Sequence, residues 1–180
     1  GELSDWDHPG AWSEDVQAWH AQHEAVGNSL DRHRFKEALR GVMNVAQQGN
    51  GVVQRAAPWV ALKPDATQDV RVEAFAGLAL AARMLRGIAI TIQPFLPKAA
   101  QRLWSMQGLE GEVSEVLWDE AISMNAPIAP STDAPTPLFE RLDLEAILAR
   151  EGDVADGQSE DSGPSVSGVK GSRRERKKET

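Results

Sequence analysis

The stretch TQDVRVEAFAGLALAARMLRGIAITIQ, residues 67–93, leaves the chain few choices. It holds no proline, opens on a threonine suited to cap a helix, and places Asp69 in the first turn, where a carboxylate suits the helix dipole. Phe75, Leu78, Ala82, Leu85, Ala89 and Ile92 recur at three- and four-residue steps, the period of one helix face. Ala74, Ala76, Ala79, Leu80, Ala81, Ile88 and Ile90 extend the apolar surface nearly all round. A helix apolar on every side is stable only when other elements cover it, so it is expected at the centre of an all-helical fold. Arg83 and Arg86 interrupt the run, and on that ground no segment is expected to reach the roughly 18–20 apolar residues that span a bilayer.

The surrounding sequence supplies the covering helices. Ser13 is a candidate N-cap followed by Glu14 and Asp15, and Trp12, Val16, Trp19, His23 and Val26 form one face, with Gly27 and Asn28 near the weak end. Phe35, Leu39, Val42, Ala46, Gly49/Asn50 and Val53 form a second stripe, which must stop before Pro58 because proline has no N–H to continue the ladder. Gly49 and Gly51 inside it suggest a close helix contact or a local bend. QPFLPK breaks the central helix, Pro97 suits the first position of another helix running to Gln107, and Gly108 suits its C′ position.

Beyond Gly108 the pattern weakens. EVLWDEAI reads as a helical turn or an extended piece, NAPIAPSTDAPTP as a loop, PLFERLD as a short return segment and LDLEAILAR as a last short helix. The expected architecture is an antiparallel bundle of about four helices with a short irregular C-terminal extension. Its domains are an irregular lead-in over 1–11, the bundle over 12–151, and a tail over 152–180 with the composition of a disordered segment.

Composition narrows the function classes. With no cysteine, thiolate metal sites and disulfides are excluded, which fits a reducing cytoplasm. GELSDWDHPG lacks the basic start and apolar core of a signal peptide. Net charge is −8, against a phosphate-binding surface taken over the whole chain. Yet residues 170–180 carry six basic side chains against two acidic ones, after an acidic stretch. No glycine-rich phosphate loop or nucleophile setting is present, so no catalytic residue is assigned within the segment. His20 and His23 stand at ligand-like spacing but lack a third ligand in register, so no metal is expected.

Six tryptophans with no tyrosine is an unusual aromatic choice. Trp12, Trp19 and Trp104 fall on helix faces and read as core. Trp59 follows a helix-ending proline; position alone favours a core or interface ring over an exposed one that stacks on an unpaired base.

Three further segments bear on that choice. RFKEALRGVMNVAQQGNGVVQRAAPWVALKPD resembles the helix-then-PW segment of the anticodon-binding domain of methionyl-tRNA synthetases, with its Phe-x-x-Ala-Leu helix, Gly-Asn-x-Tyr and PW pair. IQPFLPKAAQRLWSMQGL is similar to that domain's later helix pair, and PTPLFERLD to its Pro-Leu-Phe-x-Arg return segment. The three occur in order over roughly residues 30–143.

The resemblance implies a ring at Trp59 that stacks on an anticodon base, with Pro58 setting its angle and Asn50 matching the asparagine of Gly-Asn-x-Tyr. It implies tRNA and a catalytic domain of the parent enzyme as partners, no membrane, and a parent reaction that joins methionine to tRNA with ATP and Mg2+ in the cytoplasm. The CAU anticodon would be the target. The sequence departs from the family at Val52, where the tyrosine is expected, and matches neither the upstream polar reading residues nor the catalytic nucleotide-binding signatures. It therefore reads as a fragment of the synthetase. The competing reading is a stand-alone helical interaction module with a Trp-rich face.

Overall fold

The computed structural model describes residues 10–126, Ile128, 134–139 and Leu148. The expected last helix over 142–150, apart from Leu148, and the tail over 152–180 lie outside the described residues, as does the lead-in up to residue 9.

The fold is all-α. A 3-10 turn at Gly10–Trp12 leads into α1 (Ser13–Asp31), followed by α2 (Phe35–Ala56), the single turn α3 (Pro58–Ala61), α4 (Gln68–Ile92) and α5 (Pro97–Met106). Two 3-10 turns follow, Val113–Glu115 and Trp118–Ile122; EVLWDEAI, left open between a helical turn and an extended piece, has extended backbone at Val116 and Leu117 and then the second turn. Thr67 caps α4 as expected, its hydroxyl accepting from Val70 N at 3.5 Å. Gly108, at φ 72°, ends α5 in the left-handed region. Its N–H donates to Ser105 O and that of Leu109 to Trp104 O, the paired closure of a Schellman motif.

Ser13 is not the cap of α1. Trp12 takes that position, and the Ser13 hydroxyl donates back to Gly10 O at 2.9 Å. α1 runs on past Gly27 to Asp31, and the Trp118 indole packs beside Gly27, its Nε1 3.5 Å from where a Cβ would stand, an ordinary contact.

α4 is central, packed by α2, α5 and the Trp118–Ile122 turn. By length and composition it is apolar enough to cross a membrane, contrary to the expectation that its arginines disqualify it, but its surface is largely committed to the core. One half of that core joins Trp12, Val16, Trp19, Val45, Val52, Leu80 and Met84; the other joins Val26, Val42, Ala89, Ile90, Ala100 and Trp104. The face of α1 from Trp12 to Val26 is buried as the periodicity predicts.

The expected stripes of α2 and α4 hold at Val42, Ala89 and Ile92, which are buried, and require correction elsewhere. α2 buries Ala38, Gly41, Val42, Val45, Val52 and Ala56, and Phe35 is 58% exposed. On α4, Phe75 is 51% exposed and Leu85 40%. The reason is steric. The helices meet through their smallest residues: a Cβ at Gly41 would lie 2.5 Å from Val26 Cγ2, and one at Gly77 2.6 Å from Trp12 Cζ2. Bulky side chains at these contact points would hold the axes apart, so Phe35, Phe75 and Leu85 lie outward while Leu80 and Met84 fill the core beside the contacts. Gly41, not Gly49 or Gly51, makes the close contact on α2; at Gly51 nothing lies within 4 Å. The displaced stripes instead flank a groove, with Ala46, Gly49, Asn50 and Val53 on α2 facing Leu78, Ala82 and Leu85 on α4.

Candidate nucleic-acid interface

The site is built where α2 stops. Ala57 N donates to Val53 O at 3.1 Å, closing the last turn, and Ala57 then takes a left-handed conformation, φ 43° and ψ 55°. That reversal of hand ends the helix, and Pro58, with its fixed φ and no N–H, starts the next turn at once. Val60 N bonds Ala57 O at 2.8 Å and Leu62 N bonds Pro58 O at 3.1 Å. Ala61 is the buried foot of this turn and α4 is the surface it packs on.

With Ala61 turned inward, Trp59 faces out. It is 52% exposed, and Val60 and Leu62 beside it are exposed as well. Trp12, Trp19 and Trp104 are all buried, as their helix positions indicate, so no Trp-rich face exists among them. Asn50 is exposed on the groove face of α2, and Pro58 is half-buried at the hinge. Val52 is fully buried, so the position where the resemblance would put a tyrosine packs into the core here.

The helices from which the turn projects are tied to one another. The Trp12 indole donates to Glu73 O on α4 at 3.3 Å, and the Arg55 guanidinium lies 5.5 Å from the Trp12 ring centroid while pairing with Asp15. Gln48 Nε2 donates to Asp15 O at 2.8 Å, tying α2 to α1. On the far side of the turn, Arg71 Nη2 donates to Lys63 O at 3.2 Å. No sequence motif marks Arg71, which shares its helix face with Thr67, Gln68, Ala74 and Phe75.

A second polar cluster lies on α1 and the Trp118–Ile122 turn. His23 is buried and stacks on Trp118 with ring centroids 4.8 Å apart, and neither of its nitrogens has a hydrogen-bond partner. Burial holds its pKa below the usual value, while Asp119 pulls it up to a lesser extent and His20 pushes it down. Among the described residues no group of three or more His, Asp or Glu is placed to hold a metal ion. Arg83 and Arg86 on α4 are buried and strap the chain that follows α5: Arg83 Nε donates to Met124 O at 2.7 Å, and Arg86 Nη1 to Glu120 O at 2.6 Å.

The fold and this end of it define a small all-α bundle that carries an aromatic ring outward on a proline-led turn. Residues 8–147 match the family model described as the anticodon binding domain of methionyl tRNA ligase, and the chain belongs to that family. It is 36% identical over 118 residues to a methionine–tRNA ligase of Aeropyrum pernix, covering 66% of this chain and 20% of the relative. The methionine–tRNA ligase of Methanopyrus kandleri is 31% identical over 146 residues, 77% of this chain and 21% of that protein. That of Porphyromonas gingivalis is 30% identical over 151 residues, 83% and 20%. The chain thus spans about a fifth of the length of these relatives and corresponds to their anticodon-binding region.

Proposed function

We propose that this segment reads the CAU anticodon of methionine tRNAs for a parent methionine–tRNA ligase, which attaches methionine to tRNA with ATP and Mg2+ in the cytoplasm. The observation that carries the reading is the exposed Trp59 ring on a turn fixed by the left-handed Ala57 and by Pro58. A half-exposed indole stacks on an unpaired base for about 1–3 kcal/mol, and loop bases are commonly recognised in this way. Pro58 fixes the backbone from which the ring projects, so less backbone freedom is left to lose when a base arrives. Asn50, exposed on α2, carries amide donors and an acceptor, a hydrogen-bonding capacity that a stacking ring lacks. The bundle spans residues 12–151 in this reading, with 152–180 as a tail outside it.

The test is Trp59→Ala in the full-length protein. Loss of one stacked base lowers kcat/KM for methionine tRNA by about ten- to a hundredfold. ATP-dependent activation of methionine, which needs no tRNA, stays at the wild-type rate. Equal loss of both activities would make Trp59 a structural residue and overturn the assignment.

A further inference from the structure

α3 is one turn of four residues, far too short to hold its shape unaided. What fixes it must come from outside. On its N-terminal side the left-handed Ala57 closes α2, and the turn, with Ala61 buried, packs on α4. On its C-terminal side, Lys63 lies one turn beyond Trp59 in sequence, and its carbonyl accepts from Ala66 N and from Arg71 Nη2, both at 3.2 Å. The Arg71 bond is the one that comes from α4 itself, out of its first turn. The Nε of the same guanidinium is buried with no hydrogen-bond partner, while the Nη2 bond to Lys63 O lies at the exposed edge of the connection.

We propose that Arg71 is a positioning residue for base recognition: by holding the Lys63 carbonyl on α4 it sets the pose of the Trp59 ring. This rests on the reading of Trp59 given under Proposed function. Arg71 acts through the turn and not on the RNA. Without it the segment from Trp59 to Lys63 pivots about Pro58, and the freedom gained must be given up when a base stacks. The result is weaker binding, with the number of phosphate contacts unchanged.

The experiment uses the full-length protein labelled with 5-fluorotryptophan, the Trp59 resonance being assigned with Trp59→Phe. In Arg71→Ala, without RNA, the Trp59 fluorine signal shifts or narrows while the melting temperature holds. Methionine tRNA then binds about three- to tenfold more weakly, the cost of ordering one side chain and its turn on binding. The slope of log K against log salt stays at the wild-type value. Arg71→Lys, whose ammonium still donates to a carbonyl, recovers part of both effects. An unmoved Trp59 signal in Arg71→Ala overturns the proposal. So does a salt slope smaller by about one, which would make Arg71 a phosphate contact instead. If Trp59→Ala binds tRNA as tightly as wild type, base reading itself fails. That failure is distinct, because the fluorine measurement needs no RNA.

Discussion

Gly77 lies flat against Trp12. A Cβ at position 77 would stand 2.6 Å from the indole Cζ2 and 2.7 Å from the Ala56 Cβ, so α4 reaches the foot of α2 only because this residue has no side chain. Gly77→Ala is therefore expected to destabilise by about 1–3 kcal/mol through overpacking, although alanine is the better helix former. Gly51→Ala is the control. It also sits within a helix but meets nothing within 4 Å, and it is expected to stabilise by about 0.5–1 kcal/mol. Urea denaturation of the two variants should give shifts of opposite sign.

His23 makes stability depend on pH. Its folded-state pKa lies below the usual 6.5 because burial disfavours the imidazolium, a preference that Asp119 opposes only in part. The unfolded chain thus takes up a proton that the folded one refuses. The contribution of this group is full above about 6.5, falls as pH drops below that value, and levels off past the folded pKa. Urea midpoints measured from pH 7.5 down to 5 should fall for wild type, and His23→Phe should remove part of the slope. An identical slope in the variant would assign it to other groups.

Arg86 is worth more than its charge. Its Nη1 bonds the Glu120 carbonyl, its guanidinium lies 5.2 Å from the Trp104 ring centroid, and the Glu120 carboxylate stands 3.7 Å from Nη2. Arg86→Met leaves a carbonyl without its donor and is expected to cost about 1–3 kcal/mol. Arg86→Lys keeps the charge but not the planar fork and should fall between. Thermal melts followed by near-ultraviolet circular dichroism check that order.

Ala57 holds a backbone conformation that disfavours a Cβ by about 1 kcal/mol. Ala57→Gly is expected to raise stability by up to about that amount, part being offset by the freer unfolded chain. A lower denaturation midpoint would mean that the alanine methyl packs more than the strain costs.

Sequence periodicity located the four long helices to within a few residues, because proline, threonine and glycine punctuate them and such signals are local. The phase of α2 and α4 was readable only in part, at Val42, Ala89 and Ile92. Counting large apolar residues picked Phe35, Phe75 and Leu85, whereas the contact was decided by Gly41, Gly77 and Gly87, whose importance lies in what another helix brings up against them. The αL break at Ala57 was likewise hidden, since alanine carries no signal for a left-handed turn. Pro58 and Trp59 stood out by type and order. Arg71 did not, because its bond to Lys63 is known only once the turn is folded.

The hydrogen bond from Trp12 to the Glu73 carbonyl joins residues 61 positions apart. A loop of that length closes late relative to the local turns on either side of it, and at an entropic cost that no nearby contact offsets in advance. A short peptide around Pro58 and Trp59 would carry every atom of the outward ring and none of the floor under it. The ring's pose thus belongs to the completed bundle and cannot be cut out with the motif that displays it.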